Sequence, residues 1–256
     1  MPFSRSMCVR GALAIACALT MAAAPAAAAP ADDHQLEINY PNFGRAAAGL
    51  ELNGSAQIFT TLGPVRRKVL RVTDGGYRQV GSAWARGQVG LTAPFESTFK
   101  AYLHQGHGAD GVALVLQTAG PRALGGWGGG LGYKFLRPSV AIEFDTFRNI
   151  GDLDANHLGV VVGGNPAQHA AVAQSPLPLY GKPFLARVEY TGIGHELKVY
   201  VRALNRGAAE QLMITYPIDL AATLGGDGAY IGFTAATGSV SSKQDIYSWT
   251  VSSPSS

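Results

Sequence analysis

The chain has 256 residues, a formal net charge of +3, 14% charged residues and 33 glycines. That length holds one large all-β domain or two small ones, and sparse charge with abundant glycine fits a β-rich domain with many tight turns. No basic run is denser than Arg66-Arg67-Lys68, which argues against nucleic acid as a partner.

The first segment reads as an address rather than as fold material. Arg5 and Arg10 give a charged start, residues 11–24 form a short apolar stretch, and residues 22–29 are small, with Ala26-x-Ala28 as one cleavage option. This is the pattern of a secretory signal spanning 1–29, so the protein is expected to be secreted or periplasmic, with no stable membrane insertion. Both cysteines, Cys8 and Cys17, fall inside the signal. The processed chain would have no disulfides and must rely on its core and on metals. Ala14 stands where a lipoprotein box carries Leu, so lipidation is not expected. Without Arg5 and Arg10 the net charge drops from +3 to +1.

From residue 36 onward, short apolar or alternating runs are separated by Gly, Pro, Asn and Asp. They cover 36–40, 69–72, 98–103, 112–117, 140–147, 157–162, 184–190, 196–201, 213–217, 229–233 and 246–251. β-branched and aromatic residues are common in them, as strands require. Residues 119–132, AGPRALGGWGGGLG, are too glycine-rich to pack as a strand and predict an exposed loop. Trp127 within it is either an exposed ring that stacks on a ligand or a plug that packs the loop down. Residues 219–224 predict one short turn of helix. Trp249 lies in a strand-like run and is expected in the core. Many strands without intervening helices mean a sandwich or a closed barrel. No linker divides the chain, so one domain is expected over 30–251, with a frayed tail at 252–256.

Residues 140–157, VAIEFDTFRNIGDLDANH, carry the densest chemistry. Glu143, Asp145, Asn149, Asp152 and His157 are spaced as E-x-D-x-x-x-N-x-x-D-x-x-x-x-H. Carboxylate and amide oxygens suit a hard cation such as Ca2+; an added imidazole suits a borderline ion such as Mn2+ or Zn2+. The segment therefore offers ligands for two ions. Ligands so fully committed would fix a loop, which points to recognition rather than catalysis. Glu143 and Asp145 share one face of a strand, because side chains alternate with a period of two.

Further motifs occur in a fixed order around this one. Gly108-Ala109-Asp110-Gly111 precedes Gly128-Gly129-Gly130-Leu131-Gly132, and residues 231–238 (IGFTAATG) and 245–249 (DIYSW) follow. Weaker echoes are GLELNGSA at 49–56 and FESTF at 95–99. Together these resemble the legume lectin, or L-type lectin, family over nearly all of the processed chain. The resemblance implies an all-β, concanavalin-like jelly-roll sandwich of two antiparallel sheets, and a secreted lectin that binds glycans or glycoconjugates without covalent chemistry.

It also implies roles. Glu143, Asp145, Asp152 and His157 would hold a transition ion, usually Mn2+; Asp145, the Phe147 carbonyl, Asn149 and Asp152 would hold Ca2+. Asp154 is an alternative to Asp152, since Leu153 stands where the family usually has Pro. After His157 the family often continues G-I-D-V-N-S, whereas here Gly159-Val160-Val161-Val162-Gly163-Gly164 follows, so the polar surroundings that steady such ligands are altered. Asp110, after a cis Ala109–Asp110 peptide, would accept from two sugar hydroxyls. Asn149 would donate its amide to them, and Gly129 or Gly130 a backbone N–H. The Phe147 ring would pack on the sugar's apolar face, and Gly238 and Ser239 would open the last binding loop. Family members commonly dimerise edge to edge, so a homodimer is possible.

A glycoside hydrolase of similar shape is the competing reading. Such enzymes need two carboxyls about 5–5.5 Å apart for retention, and here Phe147 and Arg148 stand where the second Glu would be. A structural or adhesion module without sugar binding is the third. His104, His107, His169 and His195 show no partner pattern and receive no role.

Overall fold

A computed structural model describes residues 1–3, 36–62 and 64–253. The signal segment, apart from residues 1–3, and residues 254–256 of the expected tail lie outside the described residues. Among those described, fifteen strands occur in chain order. They are β1 (Ile38–Tyr40), β2 (Leu50–Gly54), β3 (Gln57–Thr60), β4 (Lys68–Asp74), β5 (Val80–Gly90), β6 (Phe95–Gly106), β7 (Gly111–Gln117) and β8 (Ser139–Asp145). They continue as β9 (His157–Val162), β10 (His169–Gln174), β11 (Phe184–Tyr190), β12 (Glu196–Ala203), β13 (Gln211–Pro217), β14 (Gly228–Ala236) and β15 (Ser242–Ser252). One short helix, α1 (Leu220–Leu224), lies between β13 and β14. Asp219 caps it by accepting from the Ala222 N–H at 2.9 Å, and Gly225 ends it in the left-handed region. Among the described residues no helix is long and apolar enough to cross a membrane.

The strands form two antiparallel sheets. One runs β13-β12-β11-β6-β15-β4-β3, with β1 also on β15; the other runs β10-β9-β8-β7-β14-β5-β2. The architecture is a sandwich, not a barrel. In the first sheet, β6, β11 and β12 alternate buried and half-exposed residues, the signature of one face on the core and one toward water. In the second sheet, β7 and β8 are buried at every position. Their even-numbered residues (Val112, Leu114, Leu116, Val140, Ile142, Phe144) join the core between the sheets. Ala113, Val115 and Ala141 instead face outward and pack with Trp84, Leu131, Tyr133, Leu136 and Val161 in a second cluster.

That second cluster corrects the expectation of an exposed glycine-rich loop. Residues 119–132 lie across the outer face of the seven-stranded sheet, and only Ala119, Arg122 and Trp127 in them are exposed. Leu131 and Tyr133 plug the sheet from above, and Trp84 Nε1 and Ser82 Oγ both donate to the Ala123 carbonyl at 2.8 Å. The glycines let the backbone lie flat where side chains would hold it off.

Sequence patterning also missed four strands as independent elements: β2, β3, β5 and β10. The final strand runs through Ser252, one residue into the expected tail. Trp249 is fully buried and donates Nε1 to Ser97 Oγ at 3.0 Å. On the solvent face, Arg71 and Asp245 form a buried two-point ion pair at 2.8 and 2.7 Å, and His104 reaches the same carboxylate at 3.0 Å.

Phe99 links the sheets. Its ring stands edge-on to Phe144 at 5.3 Å and to Phe233 at 4.9 Å between centroids. Phe99→Ala would leave a cavity between the sheets and is expected to cost about 3–5 kcal/mol, read as a lower urea midpoint with an unchanged denaturant slope.

Candidate functional site

The outer face of β8 carries Glu143 and Asp145 in the row of Ala141. Across the ladder Asp145 pairs with His157 and Glu143 with Gly159 of β9, so His157 arrives beside both carboxylates. The chain between β8 and β9 then folds back on itself. The Phe147 N–H donates to Asp145 Oδ1 at 2.7 Å and the Asn149 N–H to Asp152 Oδ2 at 2.6 Å. This pulls Asp152 in: ligand atoms of Asp145, Asp152 and His157 all lie within 4.8 Å of one another. Asp154 takes another job. Its Oδ1 accepts from the Asn156 N–H at 2.7 Å, and its carbonyl accepts from His157 Nδ1 at 2.8 Å.

That last bond fixes the histidine. With the proton on Nδ1, His157 Nε2 presents a lone pair, and Nε2 is buried with no partner among the described residues. A buried polar atom without a partner carries a desolvation cost of about 1–3 kcal/mol. The acids are buried too: Glu143 is 1% exposed, Asp145 3% and Asp110 4%. Burial, then the charge of Glu143, pushes the Asp145 carboxyl well above the usual range. Burial and Glu143 also push the Tyr133 phenol far up, so Tyr133 remains a donor to Glu143. A divalent cation among these oxygens and the free imidazole nitrogen would relieve both the like-charge repulsion and the unpartnered atom. The donor set therefore fits a metal.

His169 of β10 completes this corner, and sequence reading gave it no role. Its Nε2 lies 2.7 Å from Glu143 Oε2. The polar surroundings absent from the run after His157 are thus supplied from elsewhere, by His169 and Tyr133. The usable signal was β9–β10 register, which a single strand's pattern does not contain.

Beside the acids opens a cleft of about 250 Å³ lined by Trp127, Gly129, Gly130, Lys134, Asp145, Asn149, Ile150, Asp152, Pro166 and Ala167. Trp127 is 56% exposed on its rim, so its ring is not a buried plug under the loop. The Gly130 N–H donates to the Trp127 carbonyl at 3.1 Å; among the described residues no acceptor takes the Gly129 N–H. A methyl at Gly129 would stand 2.5 Å from Asn149 Oδ1 and 2.9 Å from Nδ2, so a side chain there would have to displace the Asn149 amide. Asn149 Nδ2 sits 3.5 Å from the Phe147 carbonyl oxygen. Half a turn of this amide would bring Oδ1 beside that carbonyl and aim Nδ2 at the cleft.

Asp110 lies just beyond the cleft lining. The Ala109–Asp110 peptide is cis. Its flanks are held on every side: the Asp110 N–H donates to the Ala236 carbonyl at 3.1 Å, and the Asp110 carbonyl accepts from Thr146 N at 2.9 Å and Oγ1 at 3.1 Å. Ser242 Oγ and Gln244 Nε2 each donate to the Ala109 carbonyl at 3.0 Å. Asp110 Oδ2 is buried and has no partner among the described residues. Gly238 packs against it and against Gly128, where a methyl would lie 3.5 Å from Oδ2 and 3.4 Å from the Gly128 Cα. Ser239 is exposed beyond Gly238, and Phe147 is half-buried. Neither lines the cleft.

The titration of the metal-stripped protein follows from this burial. Asp110 is pushed up to about 7 by desolvation, and His169 is raised chiefly by its bond to Glu143. Both groups hold protons in the folded state that the unfolded chain releases, so their stabilisation is present at acid pH and lost as pH rises through the folded values. Calorimetry of the chelated protein should show Tm falling from about pH 5 to about pH 8, a slope that Asp110→Asn flattens. A chelated protein that gains stability over that range would contradict the arrangement.

Residues 35–256 match the legume lectin domain family. An L-type lectin-domain containing receptor kinase of Arabidopsis thaliana is 30% identical over 43% of this chain and 18% of its own length. Lectin 8 of Medicago truncatula is 32% identical over 44% of this chain and 42% of its own. This chain therefore spans less than half the length of either relative. The basic winged bean lectin, solved with Tn-antigen, superposes with a TM-score of 0.74 at 24% identity, covering 86% of this chain and 98% of that one. The two sheets are accordingly those of the jelly-roll sandwich of the legume lectins. The family match over nearly all the described fold makes this chain a member of the legume lectin domain family.

Proposed function

We propose that this protein is an exported, metal-dependent lectin that binds glycans or glycoconjugates in the cleft beside Asp145, Asn149 and Asp152. Its family is one of non-enzymatic carbohydrate binders. The observation that carries the reading is Asp110: a buried carboxylate oxygen with no partner among the described residues, set against Gly238, which packs on Gly128 beside the glycines that line the cleft. A pair of sugar hydroxyls is the ligand that would satisfy it. Asn149 would add its amide N–H and Gly129 its free backbone N–H. Trp127 offers an exposed ring for a sugar's apolar face.

Ca2+ would be held by Asp145, the Phe147 carbonyl, Asn149 and Asp152, and Mn2+ or another transition metal by Glu143, Asp145, Asp152 and His157. The bound ions would supply fixed positive charge that keeps the shared carboxylates ionised. Export rests on residues 1–29 and implies a secreted or periplasmic location. A homodimer is proposed through an open sheet edge; the outer edge of β13 pairs with nothing among the described residues. Two sites in one particle would raise the avidity of individually weak contacts.

A glycan array read with Ca2+ and again after chelation tests the function. Binding is expected to vanish with EDTA and return with Ca2+. Asp110→Ala removes charge-assisted bonds of about 1.5–3 kcal/mol each and should abolish monosaccharide binding while leaving the fold intact. Gly129→Ala should do the same by displacing Asn149. No binding to any glycan in the presence of Ca2+ would favour a structural module instead.

A further inference from the structure

We propose that His169 is itself a metal ligand, making the transition-ion centre a two-imidazole site of Glu143, His157 and His169 that selects Zn2+ over Mn2+. The inference rests on the reading of this corner as a cation site and extends it to a residue outside the ligand series of residues 143–157.

The geometry points there by several routes. A carboxylate oxygen of Glu143 and ring nitrogens of His157 and His169 lie within 4.8 Å of one another. A zinc at about 2.0–2.2 Å from each ligand would take the place of the proton that now lies between His169 Nε2 and Glu143 Oε2, 2.7 Å apart. His157 Nε2 is fully buried, has no partner among the described residues, and is presented as a lone pair by the Nδ1 bond to Asp154. The two imidazoles meet edge to face, with centroids 5.3 Å apart at 87°, so they can approach one point without stacking.

The backbone is shaped for this meeting. From Gln174 to Ala171, β10 pairs with β9 in regular register, which would set Ala170 opposite Val161. A bulge between His169 and Ala171 shifts the register by one, and His169 takes that place. The bulge thus puts an imidazole, not a methyl, on the row that carries Glu143 and His157. Gly159 clears the space between them: a methyl there would lie 2.5 Å from His169 Cδ2 and 2.8 Å from Glu143 Oε2.

Ligand type then sets the preference. Oxygen-rich sites suit Mn2+, whereas imidazoles raise affinity for the later first-row ions, with zinc well served by two imidazoles and a carboxylate. His169 replaces an oxygen donor or water with nitrogen and moves the site along that series. Tyr133, donating to the other oxygen of Glu143, would hold the carboxylate in the orientation the ion needs.

X-ray absorption at the zinc edge on the processed protein, loaded with one equivalent of Zn2+ and saturating Ca2+, tests this without any variant. Two imidazoles per zinc are expected, and one in His169→Ala. Competition titrations should show zinc affinity falling at least about tenfold in that variant, with Mn2+ affinity little changed. One imidazole in the unsubstituted protein, or equal zinc affinity in both, overturns the proposal while leaving Ca2+-dependent glycan binding to stand. Failure of the unsubstituted protein to bind either Zn2+ or Ca2+ overturns it together with the reading of the cation site.

Discussion

The structure is organised around a concentration of negative charge that it cannot comfortably keep unpaired. Glu143 and Asp145 project from one face of β8, Asp152 is brought in by the loop that follows, and Asp110 stands nearby, with Glu143, Asp145 and Asp110 almost wholly removed from water. Desolvation and mutual repulsion both oppose ionisation, and the raised carboxyls of Asp110 and Asp145 record that opposition. Tyr133 and His169 offset part of it at Glu143. Nothing comparable serves Asp145 and Asp152, whose partners are backbone N–H groups of their own loop. The loop's shape is therefore borrowed from the acids, and the acids' charge state depends on what sits between them.

Much of this was readable from residues. A period-two run placed Glu143 and Asp145 on one face, and the pairing of Asp145 with His157 follows once β8 and β9 are neighbours. Asp219 and Gly225 bracket the one helix as capping preferences demand. Two of the four missed strands, β5 (VGSAWARGQVG) and β10 (HAAVAQ), are rich in Gly and Ala, residues with weak intrinsic strand preference. Their neighbours pair them, and no local signal records that.

The glycine-rich segment was misjudged for a related reason. Its polarity and lack of bulk suggest exposure, but Ala113, Val115 and Ala141 on the outer face of β7 and β8 are apolar, and something must cover them. Leu131 and Tyr133 do so. The clue lay in a different segment: β7 reads through Val112–Leu116 as a continuous apolar run rather than an alternating one, which is the pattern of a strand buried on both faces. His169 was invisible on stricter grounds. Its placement depends on a one-residue bulge, and register in a strand pair is a property of two segments, not of one.

Burial of β8 on both faces gives the site its precision. The same seven residues present Phe144 to the aromatic core between the sheets and Asp145 to the acid cluster, so the cluster cannot shift without disturbing the packing behind it. On the other side, Gly129 rests on the Asn149 amide, which a methyl there would displace, and Gly128 donates to the Thr237 carbonyl at 3.0 Å while Gly238 closes on Asp110. Asn149 is thus the joint between two systems, its amide facing the Phe147 carbonyl on one side and the glycine loop on the other. Any ligand that turns that amide changes the polar face shown to the cleft at the same moment. Coupling between the acid cluster and the cleft then needs no domain motion. It needs only the turning of one side-chain amide that touches both the Phe147 carbonyl and the glycine loop.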